Sequence, residues 1–283
     1  MSAAEDFFAL TPEDTEIPEG ILRDRYKRPC IVPPGETKAQ PYTRISTFAG
    51  YLDNKSALLA WKARNTALGV ARHDDLRRMI AALAYNSPEL DGHIEDAVTR
   101  VNDKAAWGTA VHSFTEPDAS PYVPEEMQAD VLSYFDTLTL HGITVEATEC
   151  FIVNDELRVA GTFDHIYLMP DGRRLVGDKK TGKAKPHAVA VQLACYSGGS
   201  LYNPDTHERT PLDVDLTTGL LVHIPKEEGR TEIFEVDLVK GRAAAHLAAR
   251  VNTWTKDKTV MTPLATPEQT TPTVFTPPWE LTA

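Results

Sequence analysis

Around residue 144 the apolar residues stop recurring every three to four positions and begin to alternate. That switch constrains the fold more than any other feature of the chain. Residues 144–153, 157–169 and 173–180 read as strands, and Asp171-Gly172 between the last two predicts a tight hairpin. Helical stripes precede them. Leu58, Leu59, Trp61, Leu68 and Val70 mark residues 56–70, and Leu76, Met79, Ile80 and Leu83 mark 74–84. Ile94, Val98 and Val101 space a third helix. Met127, Val131, Leu132 and Phe135 mark 124–138, with Gly142 as its stop. After the hairpin come a helix over 188–201, strands over 219–224 and 231–238, and a closing helix over 240–255. No internal repeat interrupts this order, which predicts an α/β fold with a helical front.

Composition excludes several classes. Among 283 residues no apolar run approaches the ~18–20 a membrane span needs, and residues 1–5 lack the basic start of a signal peptide. Cys30, Cys150 and Cys195 lie far apart with no CxxC pair, so neither a disulfide framework nor a four-cysteine metal site is expected. A cytoplasmic setting follows. The net charge of −12 argues at first against nucleic acid, because binding a polyanion calls for basic surface. Its distribution changes that reading. Residues 1–20 hold six acids and no base, whereas residues 21–86 hold twelve Lys/Arg against five Asp/Glu. The division expected is an acidic, disordered tail over 1–20, a basic helical region over 21–106, a core over 107–256 and a Thr/Pro-rich tail over 257–283.

The residues able to do chemistry cluster on the predicted hairpin. Asp164 closes Val159-Ala-Gly-Thr-Phe-Asp164, and Asp178 and Lys180 stand two apart in Gly177-Asp-Lys-Lys-Thr-Gly182. Adjacent strands let the two carboxylates converge, and residues two apart on a strand leave the same face. Two carboxylates with a lysine suit Mg²⁺ or Mn²⁺ and a water to be activated; a solvated Asp–Lys pair is the plain alternative. Glu149 stands near the end of the preceding strand, and His112 lies in Gly108-Thr-Ala-Val-His112 on a short helix. Gln192 and Tyr196 are i and i+4 on the helix expected over 188–201.

In this order the five motifs resemble the PD-(D/E)XK nuclease superfamily, and more narrowly its RecB-like branch, which includes CRISPR-associated and phage exonucleases. The likeness runs from about Gly108 to Tyr196, with Tyr42-Thr-Arg-Ile-Ser-Thr47 and Trp61-Lys62 similar to the helical front of phage-encoded members. It implies a restriction-endonuclease-like core, a central mixed sheet flanked by helices, behind an N-terminal helical region. By the same resemblance Asp164 bridges the metal, Asp178 and the backbone carbonyl of Lys179 join it, and His112 adds a ligand. Glu149 is the loosest match. Lys180 positions or activates the water, and Gln192, Tyr196 and Thr181 line the DNA strand. The family often has Glu where Asp178 stands, so the shorter side chain must bring the metal nearer the strand. Some relatives carry four cysteines holding an iron–sulfur cluster; with three scattered cysteines no cluster is expected.

The basic stretch then gains a purpose. Arg44, Lys55, Lys62, Arg64, Arg72, Arg77 and Arg78 form one expected wall for a phosphate backbone, with Trp61 or Tyr42 for base stacking. The function expected is a metal-dependent DNA nuclease, foremost an exonuclease of recombination or repair, which if phage-encoded works in the host cytoplasm. Two alternatives stay open. One is a structure-specific endonuclease. The other is a non-catalytic module that binds DNA ends or a recombination or replication protein through its tails.

Overall fold

The computed structural model describes residues 20–101, 104–116 and 119–264; the tail segments 1–19 and 265–283 lie outside the described residues. The chain enters through β1 (Cys30–Ile31) and β2 (Gln40–Pro41), a small antiparallel pair, then β3 (Thr43–Arg44) and α1 (Ile45–Ala49). The region expected to be helical from residue 21 therefore starts as an extended arm. Asp155 holds that arm down. Its Oδ1 accepts from the Tyr42 hydroxyl at 2.7 Å, and its Oδ2 from Arg209 Nε at 3.0 Å.

Three helices follow, α2 (Ser56–Arg72), α3 (Asp74–Ala81) and α4 (Glu89–Val101). Their main packing is with one another. Gly69 lies so close to α4 that a Cβ there would fall 2.1 Å from the Ala97 carbonyl oxygen.

The sheet layers begin with α5 (Lys104–Phe114) and α6 (Glu125–Leu140). As the sequence predicts, α6 stops at Gly142. Its φ of +63° lets the Ile143 N–H reach the Leu138 carbonyl and its own N–H reach Thr139, a Schellman closure. Then come β4 (Thr144–Asn154), β5 (Val159–Leu168) and β6 (Arg174–Lys180). Asp171-Gly172 makes the β5–β6 turn, with Gly172 at φ +86°. The next helix, α7 (Pro186–Ser197), opens on a proline, whose missing N–H costs nothing at that position. The expected helix over 188–201 overshoots. The chain turns at Gly198-Gly199 and enters β7 (Ser200–Tyr202), which pairs with β8 (Arg209–Pro211). The last elements among the described residues are β9 (Thr218–His223), β10 (Glu232–Asp237) and α8 (Leu238–Lys256), the helix capped by Asp237 accepting from the Lys240 N–H.

Among the described residues the main sheet has eight strands in the order β10-β9-β6-β5-β4-β7-β8, with β3 paired to β5. It is mixed: β6–β9 and β3–β5 are parallel and the other pairs antiparallel. One face is covered by α1, α7 and α8 around Phe163, Val176, Leu193 and Leu221. The other is covered by α5 and α6 around Tyr134, Tyr167, Leu175 and Val222. The protein is thus an α/β fold with a large mixed sheet flanked by helices.

The α7–α8 contact is tight enough to test. A Cβ on Gly241 would sit 2.1 Å from the Ala190 carbonyl oxygen, a backbone atom that cannot swing aside. Gly241→Ala is expected to cost about 1–3 kcal/mol by overpacking. A thermal melt would show this as a fall of several degrees, and an unchanged midpoint would contradict the tight packing.

Candidate active site

Asp164 lies where β5 loses its neighbour. β4 pairs along nearly all of β5, so β3 and β6 share the opposite edge. There β3 takes Val159 and Ala160, and β6 takes His165 to Leu168. Residues 161–164 are left between them. The β5–β6 register stops at His165↔Gly177; one further step would set Asp164 opposite Asp178. The strands part there, and a side chain replaces the missing ladder bond. The Lys179 N–H donates to Asp164 Oδ2 at 2.6 Å.

That bond fixes the direction of the Lys179 carbonyl. In a strand the N–H and C=O of one residue point to one side, and neighbouring residues point to opposite sides. The Lys180 carbonyl accepts from Ile224 beyond β9. The Lys179 carbonyl therefore faces the gap that holds Asp164, where the resemblance wants a backbone ligand.

Alternation along β6 separates the two lysines. Lys180 lies on the same face as Asp178, its Nζ 3.1 Å from Oδ1 and 3.0 Å from Oδ2. Gln192 on α7 donates to the same Oδ1 at 3.1 Å and lies 3.4 Å from the Tyr196 hydroxyl. Gln192, Tyr196 and Thr181 are all buried; Gln192 holds the carboxylate from the helix, and Tyr196 stands behind Gln192. From the other face α5 brings His112, its Nδ1 3.9 Å from Asp164 Oδ2. Burial opposes ionisation of Asp164. The charges of His112, Lys179 and Lys180, with the Lys179 N–H, outweigh it and hold the carboxyl below its ordinary value.

Other expected residues stand apart. The register places Glu149 across from Asp164, between Thr148↔His165 and Cys150↔Phe163. Its backbone is left-handed at φ +49°, a strained conformation for a residue with a Cβ, and its side chain is exposed. It does not join the carboxylates: among the described residues no three His, Cys, Asp or Glu side chains form a group that could hold a metal. Arg44 is half-buried on β3, beside the gap. Lys62 and Arg64 are exposed on α2 but two apart, so they do not share a helix face. Arg77 is paired with Asp74 at 2.8 Å. Tyr42 is fully buried and its hydroxyl is committed to Asp155, which leaves no ring face for a base. Trp61 is half-buried.

A second polar cluster, which sequence reasoning missed, lies beneath the site on the α5–α6 face. Lys179 is fully buried, with Nζ 2.6 Å from Glu116 Oε1 and 2.9 Å from Thr115 Oγ1. His165 is also fully buried, Nε2 3.8 Å from the same Glu116 oxygen. The signal was the doublet itself. Two adjacent lysines on a buried strand must send one ammonium into the covering helices, where it needs a carboxylate.

No family model matches this chain, and no curated protein matches it. A solved structure titled "Crystal structure of SSO0001" aligns over 67% of this chain and 85% of that one. The identity is 14% and the TM-score 0.26, a level that carries no argument about fold or function.

The buried imidazole has a pH consequence. Desolvation, followed by the Lys179 charge, pushes the His165 pKa from 6.5 down to about 3, so the native ring is neutral. The unfolded chain protonates it near its ordinary value. Below that pH the unfolded state binds the extra proton, and stability falls by about 1.4 kcal/mol per pH unit until the native ring also titrates. Urea unfolding of wild type and His165→Phe between pH 7 and 4 should give a shallower loss in the variant. Parallel curves would contradict a neutral buried ring.

Proposed function

We propose that this chain is a metal-dependent deoxyribonuclease with a restriction-endonuclease-like core, acting as an exonuclease at DNA ends in recombination or repair. One observation carries the reading. Two buried carboxylates, Asp164 and Asp178, lie one residue beyond the last β5–β6 pair, where the ladder opens, with the Lys180 ammonium on the second.

The donor set fits a hard divalent cation. Mg²⁺ takes one or two protein carboxylates and keeps several waters, so a three-residue cage is not required, and an imidazole beside them also suits Mn²⁺. Asp164, Asp178 and the Lys179 carbonyl would hold it, and His112, 3.9 Å from Asp164, would be drawn in as a further ligand. A cation bound there would supply polarisation of the phosphoryl oxygens and a water made nucleophilic near neutral pH. The chain's own residues do the rest. Lys180, its side chain 19% exposed, orients the attacking water and, as the neutral amine, accepts the proton that the water gives up. Gln192 fixes the Asp178 rotamer by its hydrogen bond to Oδ1. Arg44, half-buried beside the gap, offers a charge to the phosphate backbone, and the exposed cations of α2 add a salt-sensitive attraction.

The test uses linear duplex, linear single-stranded and covalently closed circular DNA with Mg²⁺ or Mn²⁺. Loss of linear DNA with circles intact, stopped by EDTA, is the expected result. Cut circles would make it an endonuclease, and tight binding without cleavage in either metal would make it a binding module.

A further inference from the structure

Lys179 is gripped at both ends by the groups that must meet in the site. Its backbone N–H holds Asp164 Oδ2 at 2.6 Å. Its side chain crosses to the opposite face and ends among acceptors at the C-terminus of α5: Glu116 Oε1 at 2.6 Å, Thr115 Oγ1 at 2.9 Å and the His112 carbonyl oxygen at 3.4 Å. The Tyr134 ring lies 5.7 Å from the ammonium. A helix C-terminus leaves carbonyls without helical partners and carries partial negative charge, so a buried cation there is doubly favoured. Thr115 ties the same turn to itself, its Oγ1 donating to the Val111 and His112 carbonyls at 2.9 and 3.0 Å.

A buried ion pair adds little net stability over well-packed apolar side chains. What it supplies that leucine and methionine do not is direction: the pair sets how far α5 lies from β6 and in which register. His112 rides on that turn, and its Nδ1 stands 3.9 Å from the carboxylate that the Lys179 backbone holds.

We propose that the buried Lys179–Glu116 pair is a positioning device that fixes the last turn of α5, and with it the His112 imidazole, over Asp164. The proposal rests on the nuclease reading for its purpose but not for its geometry. Lys179 and Glu116 are positioning residues, because both act through His112. Partners that orient a metal ligand typically carry about 10–100-fold in metal affinity.

The experiment compares wild type with Lys179→Met/Glu116→Leu, which leaves no unpaired buried charge, and with Glu116→Gln, whose amide oxygen still accepts from Nζ. Glu116→Ala leaves the fully buried Lys179 ammonium with only Thr115 and the His112 carbonyl as acceptors, so its fold is checked by circular dichroism before the ring signals are read. Ring signals of ¹⁵N-histidine-labelled protein are recorded without metal, and Mn²⁺ affinity is then measured by titration. The double variant and Glu116→Ala should shift or broaden the His112 signals while exposed His246 stays fixed, and weaken Mn²⁺ binding about tenfold or more. Glu116→Gln should stay near wild type. Unmoved His112 signals in the folded double variant would overturn the positioning role, whether or not the protein cleaves DNA. Wild type that neither binds Mn²⁺ nor cleaves DNA would defeat the nuclease reading while the His112 shifts still decide the positioning.

Discussion

Lys180→Met should lower the single-turnover rate of phosphodiester cleavage by about 10²–10⁴-fold, the range for losing a positioned proton-transfer group. DNA affinity should change little. The side chain stands at the mouth of the gap, both Asp178 oxygens within 3.1 Å, and methionine preserves its apolar stem while removing the ammonium. Asp178 then loses a charge partner but keeps the Gln192 hydrogen bond, so the carboxylate should hold its place. Rapid-quench kinetics at saturating DNA separate the two effects. A drop in affinity with an unchanged rate would assign Lys180 to phosphate binding and remove it from the chemistry.

The largest stability effect should come from the other lysine. Lys179→Met leaves Glu116 mostly buried beside neutral His165, without its closest cation. Breaking a buried pair from one side costs about 3–5 kcal/mol, because the remaining charge has lost its compensation. Protonation of Glu116 is the escape available, so the loss should shrink as the pH falls. Denaturant unfolding at pH 7 and pH 5 measures both. Equal stabilities for wild type and variant at pH 7 would mean that water reaches the cluster and screens it. Lys180→Met, on a half-open surface, should lose far less, so the two neighbours separate cleanly: one carries rate and the other stability.

The local features of this fold were legible because their causes are local. Gly142 ends α6 by adopting a left-handed backbone, and Asp171-Gly172 turns β5 into β6, as their residue types require. Alternation put Asp178 and Lys180 on one face without knowledge of any neighbour. What escaped depends on distant partners. The gap at residues 161–164 exists because two residues of β3, more than a hundred positions earlier, pair with the start of β5. No periodicity announces a strand that short. The overshoot of α7 has a nearer cause. Gly198-Gly199 was a visible stop, and Asn154 Nδ2 secures it by donating to the Cys195 and Gly198 carbonyls at 3.3 Å. Tyr42 was offered for base stacking beside the basic residues, and its burial depends on an anchor, Asp155, that lies 113 residues further on. Glu149 was expected among the carboxylates from its strand position, and the left-handed backbone at that residue is not readable from a glutamate.

The most direct measurement of the central claim is cleavage of end-labelled linear DNA in Mn²⁺ by wild type, Asp164→Asn and Asp178→Asn. Asparagine keeps an oxygen for the Lys179 N–H at position 164 and for Gln192 at position 178, so each variant should fold while losing its charge toward a cation. The account predicts cleavage by wild type that EDTA abolishes and that both variants lack. Intact DNA with wild type in either metal, or cleavage that survives both substitutions, would contradict it.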